Sequence, residues 1–309
     1  MDSKFLRKYI SECPLNDFTD EGNVEERQLQ LDKYLEGFTD FLYSNEDNLV
    51  QTFWEQYFAS SQVILIKQSQ LLRRCMIFFD VAVGIYNQVS TKYIKNRKSS
   101  ESAKMLSVQL QNTFNLFKSI LTLTMNGCFY SVISEYRTMY ESFVVERYLL
   151  KHPELLPVYK IHSELIGLYI NKMSIYFPKE QEDRYNEILQ EYGKDFLKDF
   201  GWTKSIIVNP NNRKLITLAN ECNIEPFFKP LYHVACEYVH PSSLASTTKT
   251  NLDSIKPFLQ VAMYIILYEI EDYIAESRVV TKDAVIMKNM LFFIFDDINK
   301  TFFNNLDVK

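Results

Sequence analysis

Three groupings of polar side chains in this 309-residue chain have the types and spacing for chemistry. Arg137 and Glu141 stand four residues apart, and at 100° per residue they fall in one helical stripe with Tyr130, Ile133, Val144 and Tyr148. Ser131, Glu135, Thr138, Ser142 and Glu146 run down the opposite side, which reads as the wet face. An Arg–Glu pair set among apolar residues is either a buried polar centre that orients a ligand or catalytic group, or a surface pair whose stems snorkel to water. Tyr232, Cys236 and His240 follow at four-residue steps and so stack along one helix edge. Pro241 disfavours α geometry at His240, placing the histidine at a helix end where the dipole favours the imidazolium. Ser242 and Ser243 follow and can offer hydroxyls and backbone N–H groups to an anion, or simply cap the helix ends. The third grouping is Arg147 with His152: an arginine can stabilise the charge of a phosphorane while a histidine moves a proton.

Helices must position all three. Apolar residues recur at helical spacing over Glu25–Tyr43, Asp47–Phe58, Gln62–Val89, Met105–Met125, Cys128–Lys151 and Glu154–Tyr176. The pattern continues over Glu180–Phe200, Lys214–Cys222, Phe227–Val239, Asp253–Glu276 and Lys282–Phe303. Thr91–Glu101 and Gly201–Asn212 read as loops, and Asn126-Gly127 as a turn. Alternating strand patterns are lacking, and only 7 of 309 residues are glycine, which disfavours many tight hairpins. The expected class is all-α: a multi-helix bundle with an N-terminal helical extension over 1–100, a core over 103–276 and a C-terminal helix over 277–309 packed on it.

Composition narrows the classes further. With 47% hydrophobic and 15% aromatic residues the chain has ample core, so disorder is excluded. The longest apolar runs, such as Val261–Tyr268, are far too short for a membrane span, and the N-terminus lacks a signal-peptide core. Five scattered cysteines without a paired C-x-x-C suit reduced thiols, giving a cytoplasmic expectation with no membrane partner. His162 and Glu164 lack the Glu-x-x-His spacing of metal-binding bundles and read as surface residues; neither metal nor cofactor is expected. A net charge of −5 argues against general nucleic-acid coating, although the run Lys92, Lys95, Arg97, Lys98 with Tyr93 offers a local basic patch.

Two resemblances carry the functional expectation. The stretch FKSILTLTMNGCFYSVISEYRTMYESFVVERYLL, followed by KDFGWTKSIIVNPNNRKLITLANECNIEPFFKPLYHVACEYVHPSS, resembles the bacterial domain of unknown function family 5677. Its arginine with a glutamate four residues on is matched by Arg137 and Glu141, and its Gly-Trp pair by Gly201-Trp202. Its Tyr-x3-Ser-x3-His segment is matched by Tyr232, Cys236 and His240, with Cys236 standing where the family has serine and Ser242 following. The resemblance covers about Phe117–Thr250 and implies a cytoplasmic helical protein of a family with no settled activity, some of whose members lie among mobile-element and phage-defence genes. Separately, Arg147-x4-His152 is similar to the catalytic motif of HEPN-type helical ribonucleases, except that Tyr148 replaces the usual polar residue.

The expected catalytic set is therefore Arg137, Glu141, Tyr232 and His240, with Trp202, Cys236, Ser242 and Ser243 in binding roles and Arg147 with His152 as the alternative centre. The expected activity is that of a defence-associated effector acting on nucleic acid or a nucleotide, as a homodimer or with a partner protein. The alternative is a non-catalytic helical module that binds a ligand or protein.

Overall fold

The structure is a computed structural model that describes residues 34–51 (apart from 36, 39 and 43), 69–95, 100–173, 176–239, 251–278 and 282–303. The described residues form helices and turns without a strand, so the protein is all-α. After helical turns within 34–51 come α1 (Gln70–Lys95), α2 (Glu101–Met125), α3 (Phe129–Lys151), α4 (Leu156–Lys172) and α5 (Lys179–Tyr192). The short α6 (Leu215–Glu221) precedes α7 (Glu225–Val239), α8 (Leu252–Ser277) and α9 (Lys282–Phe302). Among the described residues no helix is long and apolar enough to cross a membrane.

The chain divides into two compact units, Met1–Met139 with Leu231–Lys309, and Tyr140–Pro230. In the first unit α8 is buried nearly all round from Phe258 to Leu267, which marks a central helix. It packs on α1, α2 and α9, and α1 packs on α2 and α9. Thus α1, which lies in the expected N-terminal extension, forms one wall of the bundle. An aromatic ladder fills the space: Phe79 meets Phe114 and Phe117 at 5.7 and 5.8 Å, and Phe78 meets Phe117 and Phe295 at 6.3 and 6.4 Å. Thr113 Oγ1 donates to the buried Glu269 carboxylate at 2.8 Å.

Boundaries shift where local chemistry intervenes. Helix α1 continues to Lys95, past the expected loop start at Thr91, whose hydroxyl donates back to Asn87 O at 2.7 Å. The expected Glu180–Phe200 helix stops at Tyr192 because Gly193 takes φ 82° and its N–H closes on Leu189 O at 2.9 Å. Residues Lys194–Leu197, Gly201–Thr203 and Pro210–Asn212 then form 3-10 turns.

One buried acid tests the bundle. Asp80 is 4% exposed on α1, and burial raises its carboxyl pKa from 3.8 to about 6. Between those pH values unfolding releases a proton, so stability falls as pH rises through the window, by about 3 kcal/mol at about 1.4 per unit. Asp80→Asn should therefore melt higher than wild type at pH 7.5, with the gap closing by pH 4. A difference in melting temperature that is the same at both pH values would refute the assignment.

Candidate functional site

The carboxyl-terminal half of α3, in the second unit, gathers the most complete polar centre. Helix α3 ends at Lys151 because Pro153 follows, and Pro153 opens a 3-10 turn whose N-cap is His152. His152 Nε2 lies 2.6 Å from Glu221 Oε1 at the end of α6. A carboxylate only accepts, so Nε2 carries a proton in this contact, and Nδ1 lies 3.4 Å from a second carboxylate, that of exposed Glu154, which accepts from it only when Nδ1 is protonated as well. Lys151 Nζ donates to Glu221 O at 2.6 Å and stands 3.6 Å from its carboxylate. Together these contacts tie the end of α3 to the end of α6.

The ring of Tyr148 supports the imidazole at 4.7 Å. Tyr148 is fully buried, and burial together with the Glu221, Cys222 and Glu154 charges pushes its phenol up to about 12. Burial likewise raises the Cys222 thiol to about 11 against the opposing charges of Lys151 and Arg147. Lys151, His152, Glu154 and Glu221 thus meet at one corner, with the imidazole between two carboxylates and the Arg147 charge acting nearby on Cys222. Such an arrangement can move a proton through the imidazole. Among the described residues no His, Cys, Asp and Glu cluster could hold a metal ion.

Behind the centre, Trp202 is 2% exposed and meets Tyr148 at 5.9 Å and Tyr159 at 5.1 Å. The expected binding role for Trp202 gives way to that of a core anchor, because its ring is closed in by these neighbours. Gly201 beside it is fixed by space: a Cβ there would meet Phe196 O at 2.7 Å and Asp195 O at 2.8 Å. Gly201→Ala should therefore destabilise by about 1–3 kcal/mol, read from denaturant melts, and an unchanged midpoint would show that the turn yields freely. His162, expected at the surface, is buried instead. Its Nε2 donates to Lys198 O at 3.3 Å and its ring stands edge-on to Phe196 at 5.2 Å. Burial lowers its pKa, and the contact fastens the 194–203 turns to α4.

The first unit holds part of the other expected set. The Arg137 guanidinium lies 6.0 Å from the Tyr232 ring centroid, joining α3 to α7 by a cation–π contact. Tyr130 adds a second tie, donating its hydroxyl to Tyr238 O, with the two rings 5.4 Å apart. Arg137, Glu141, Tyr232 and Cys236 are all half-buried, a middle state between the buried and surface alternatives. Glu146, expected on the wet face, is 2% exposed, so that stripe dries out toward the end of α3. His240, Ser242 and Ser243 lie outside the described residues, as do Arg97 and Lys98 of the basic run.

Residues 103–255 match the model of a family of unknown function, DUF5677. The matched stretch is similar to this family. The DUF5677 match runs from α2 into the first turn of α8 and so includes Arg137, Glu141, Tyr232 and His240 as well as Arg147, His152 and Glu221. Neither a curated protein nor a solved structure matches the chain. Glu221 escaped the sequence reading because it is 69 residues from His152 and no local spacing links them.

Proposed function

We propose that this protein is an RNA-cleaving effector whose centre is His152, oriented by Glu221 and flanked by Arg147 and Lys151. The observation that carries the reading is the 2.6 Å contact between His152 Nε2 and the Glu221 carboxylate, which keeps a proton on Nε2; Nδ1, held only by the long 3.4 Å contact to exposed Glu154, serves as the base when that carboxylate turns away. RNA brings its own nucleophile. Nδ1 takes the proton of a 2′-hydroxyl, the 2′-oxygen attacks phosphorus, and the P–O5′ bond breaks. The leaving 5′-oxygen regains a proton from the imidazolium or solvent, giving a 2′,3′-cyclic phosphate and a 5′-hydroxyl. Arg147 supplies charge for the phosphorane, a role that preorganised cations fill well. An activity of this kind suits the phage-defence setting that the family resemblance implies.

Incubating purified protein with total RNA, and separately with nucleotides, tests the proposal. Wild type should generate fragments ending in cyclic phosphate, and a His152→Gln variant should not. A second reading, a non-catalytic binding module, is favoured by the Arg137–Tyr232 contact, which commits the guanidinium to packing. Intact RNA with both forms would favour that module.

A further inference from the structure

Resting on the RNA-cleavage reading and extending it to the substrate's grip, we infer that Lys194–Lys214 is a surface for the phosphodiester backbone of single-stranded RNA. The segment carries five cations (Lys194, Lys198, Lys204, Arg213, Lys214) against two acids (Asp195, Asp199), a net of +3 in a chain of net −5. The charges gather in space as well as in sequence. Lys198 Nζ is 2.7 Å from Asp195, whose carboxyl is held below its ordinary range by that lysine first and by Arg213 and Lys204 in addition. One carboxylate thus sits among three cations, an excess of positive charge on exposed turns. The Arg213 guanidinium is braced by Ile207 O and Val208 O, both at 2.9 Å, which holds the far end of the segment in place.

The surface adjoins the proposed centre within the same unit. Trp202, inside the segment, packs on Tyr148, whose ring supports His152. Helix α6, only seven residues long, runs from the end of the segment to Glu221. The preceding helix α5 has the opposite character, with five acids (Glu180, Glu182, Asp183, Glu187, Glu191) against Lys179 and Arg184. A polyanion is therefore repelled on one side and held on the other, which gives the strand a direction of approach. Turns that expose lysines and the amides of Asn211 and Asn212 suit a flexible single strand, whose phosphates adjust to irregular spacing.

Fluorescence anisotropy with a short labelled single-stranded RNA, titrated across salt, tests the surface. The Lys198→Ala/Lys204→Ala double variant should bind about tenfold more weakly, with a salt slope shallower by about 1.4, at about 0.7 per phosphate contact. Both side chains are exposed, so the fold should persist, which a melting curve checks. Lys104→Ala/Lys300→Ala, also exposed but in the other unit, serves as the charge-matched control and should bind as wild type does. Single-stranded DNA of the same sequence should bind comparably and remain uncut. Equal weakening in the control pair, unchanged binding in the Lys198/Lys204 pair, or displacement of RNA by polyglutamate as readily as by unlabelled RNA would overturn the inference. Lost binding in the double variant with no cleavage by any form keeps the surface and removes the reaction. Cleavage that depends on His152, with binding indifferent to Lys198 and Lys204, does the reverse.

Discussion

His152→Gln is expected to slow RNA cleavage by about 10²- to 10⁴-fold, the usual worth of a positioned proton-transfer group. Glutamine is the informative replacement, because its amide N–H can still donate to Glu221 and hold the ends of α3 and α6 together. What it lacks is a basic nitrogen where Nδ1 now stands. The melting temperature should accordingly stay within about 2 °C of wild type, since less than about 1 kcal/mol is at stake. Glu221→Gln makes the complementary change: the imidazole keeps a hydrogen-bonding neighbour but loses the acceptor-only carboxylate that keeps a proton on Nε2. Its rate should fall too, by less than in His152→Gln. Single-turnover cleavage of a defined RNA, with products separated by their cyclic-phosphate ends, measures both. A His152→Gln protein that cuts at the wild-type rate would return His152 to a purely structural latch between two helices.

The helices themselves were legible in the sequence because their signals are local. Periodic apolar residues, the Pro153 stop and the scarcity of glycine all act within a few residues of the helix they define. The break at Gly193 is also local but hidden in the sequence, because the charged pattern of α5 continues helically beyond it while a φ of 82° does not. The candidate centre was half legible. Arg147, near the end of α3, and His152, just past it, are close in sequence, so their spacing carries information, and Arg137 and Tyr232 each stand out by four-residue spacing to other polar residues. Glu221 could not be found in that way, because the fold alone brings α6 to the end of α3. The drying of the Glu146 face has the same origin: a helical wheel separates polar from apolar residues but does not know that neighbours cover both sides of α3 near its end. His162 repeats the lesson, its burial created by the 194–203 turns that fold over α4.

Trp202→Ala should produce the largest loss of stability in the second unit, about 3–5 kcal/mol, and lower its melting transition by about 10 °C or more. The indole is 2% exposed and stands edge-on to both Tyr148 and Tyr159, so truncation opens a cavity between α3, α4 and the turn that carries it. That turn is poorly placed to collapse into the void. Gly201 already approaches Phe196 O and Asp195 O as closely as its missing side chain allows, and the His162 contact pins Lys198 O a few residues earlier. The cavity should therefore persist, which is the condition under which large-to-small changes cost most. Trp202→Phe, which retains most of the ring volume, should recover more than half of the loss. The effect should also reach the chemistry: without the indole edge, Tyr148 gains freedom, and the imidazole resting 4.7 Å from its ring loses part of its support. At a temperature where Trp202→Ala is still folded, its cleavage rate should fall more than its RNA affinity does. A variant that melts within about 2 °C of wild type would mean that the turn closes over the gap. Trp202 would then be a lining residue and no anchor, and the support that runs from the Gly201-Trp202 turn through Tyr148 to His152 would lose its mechanical basis.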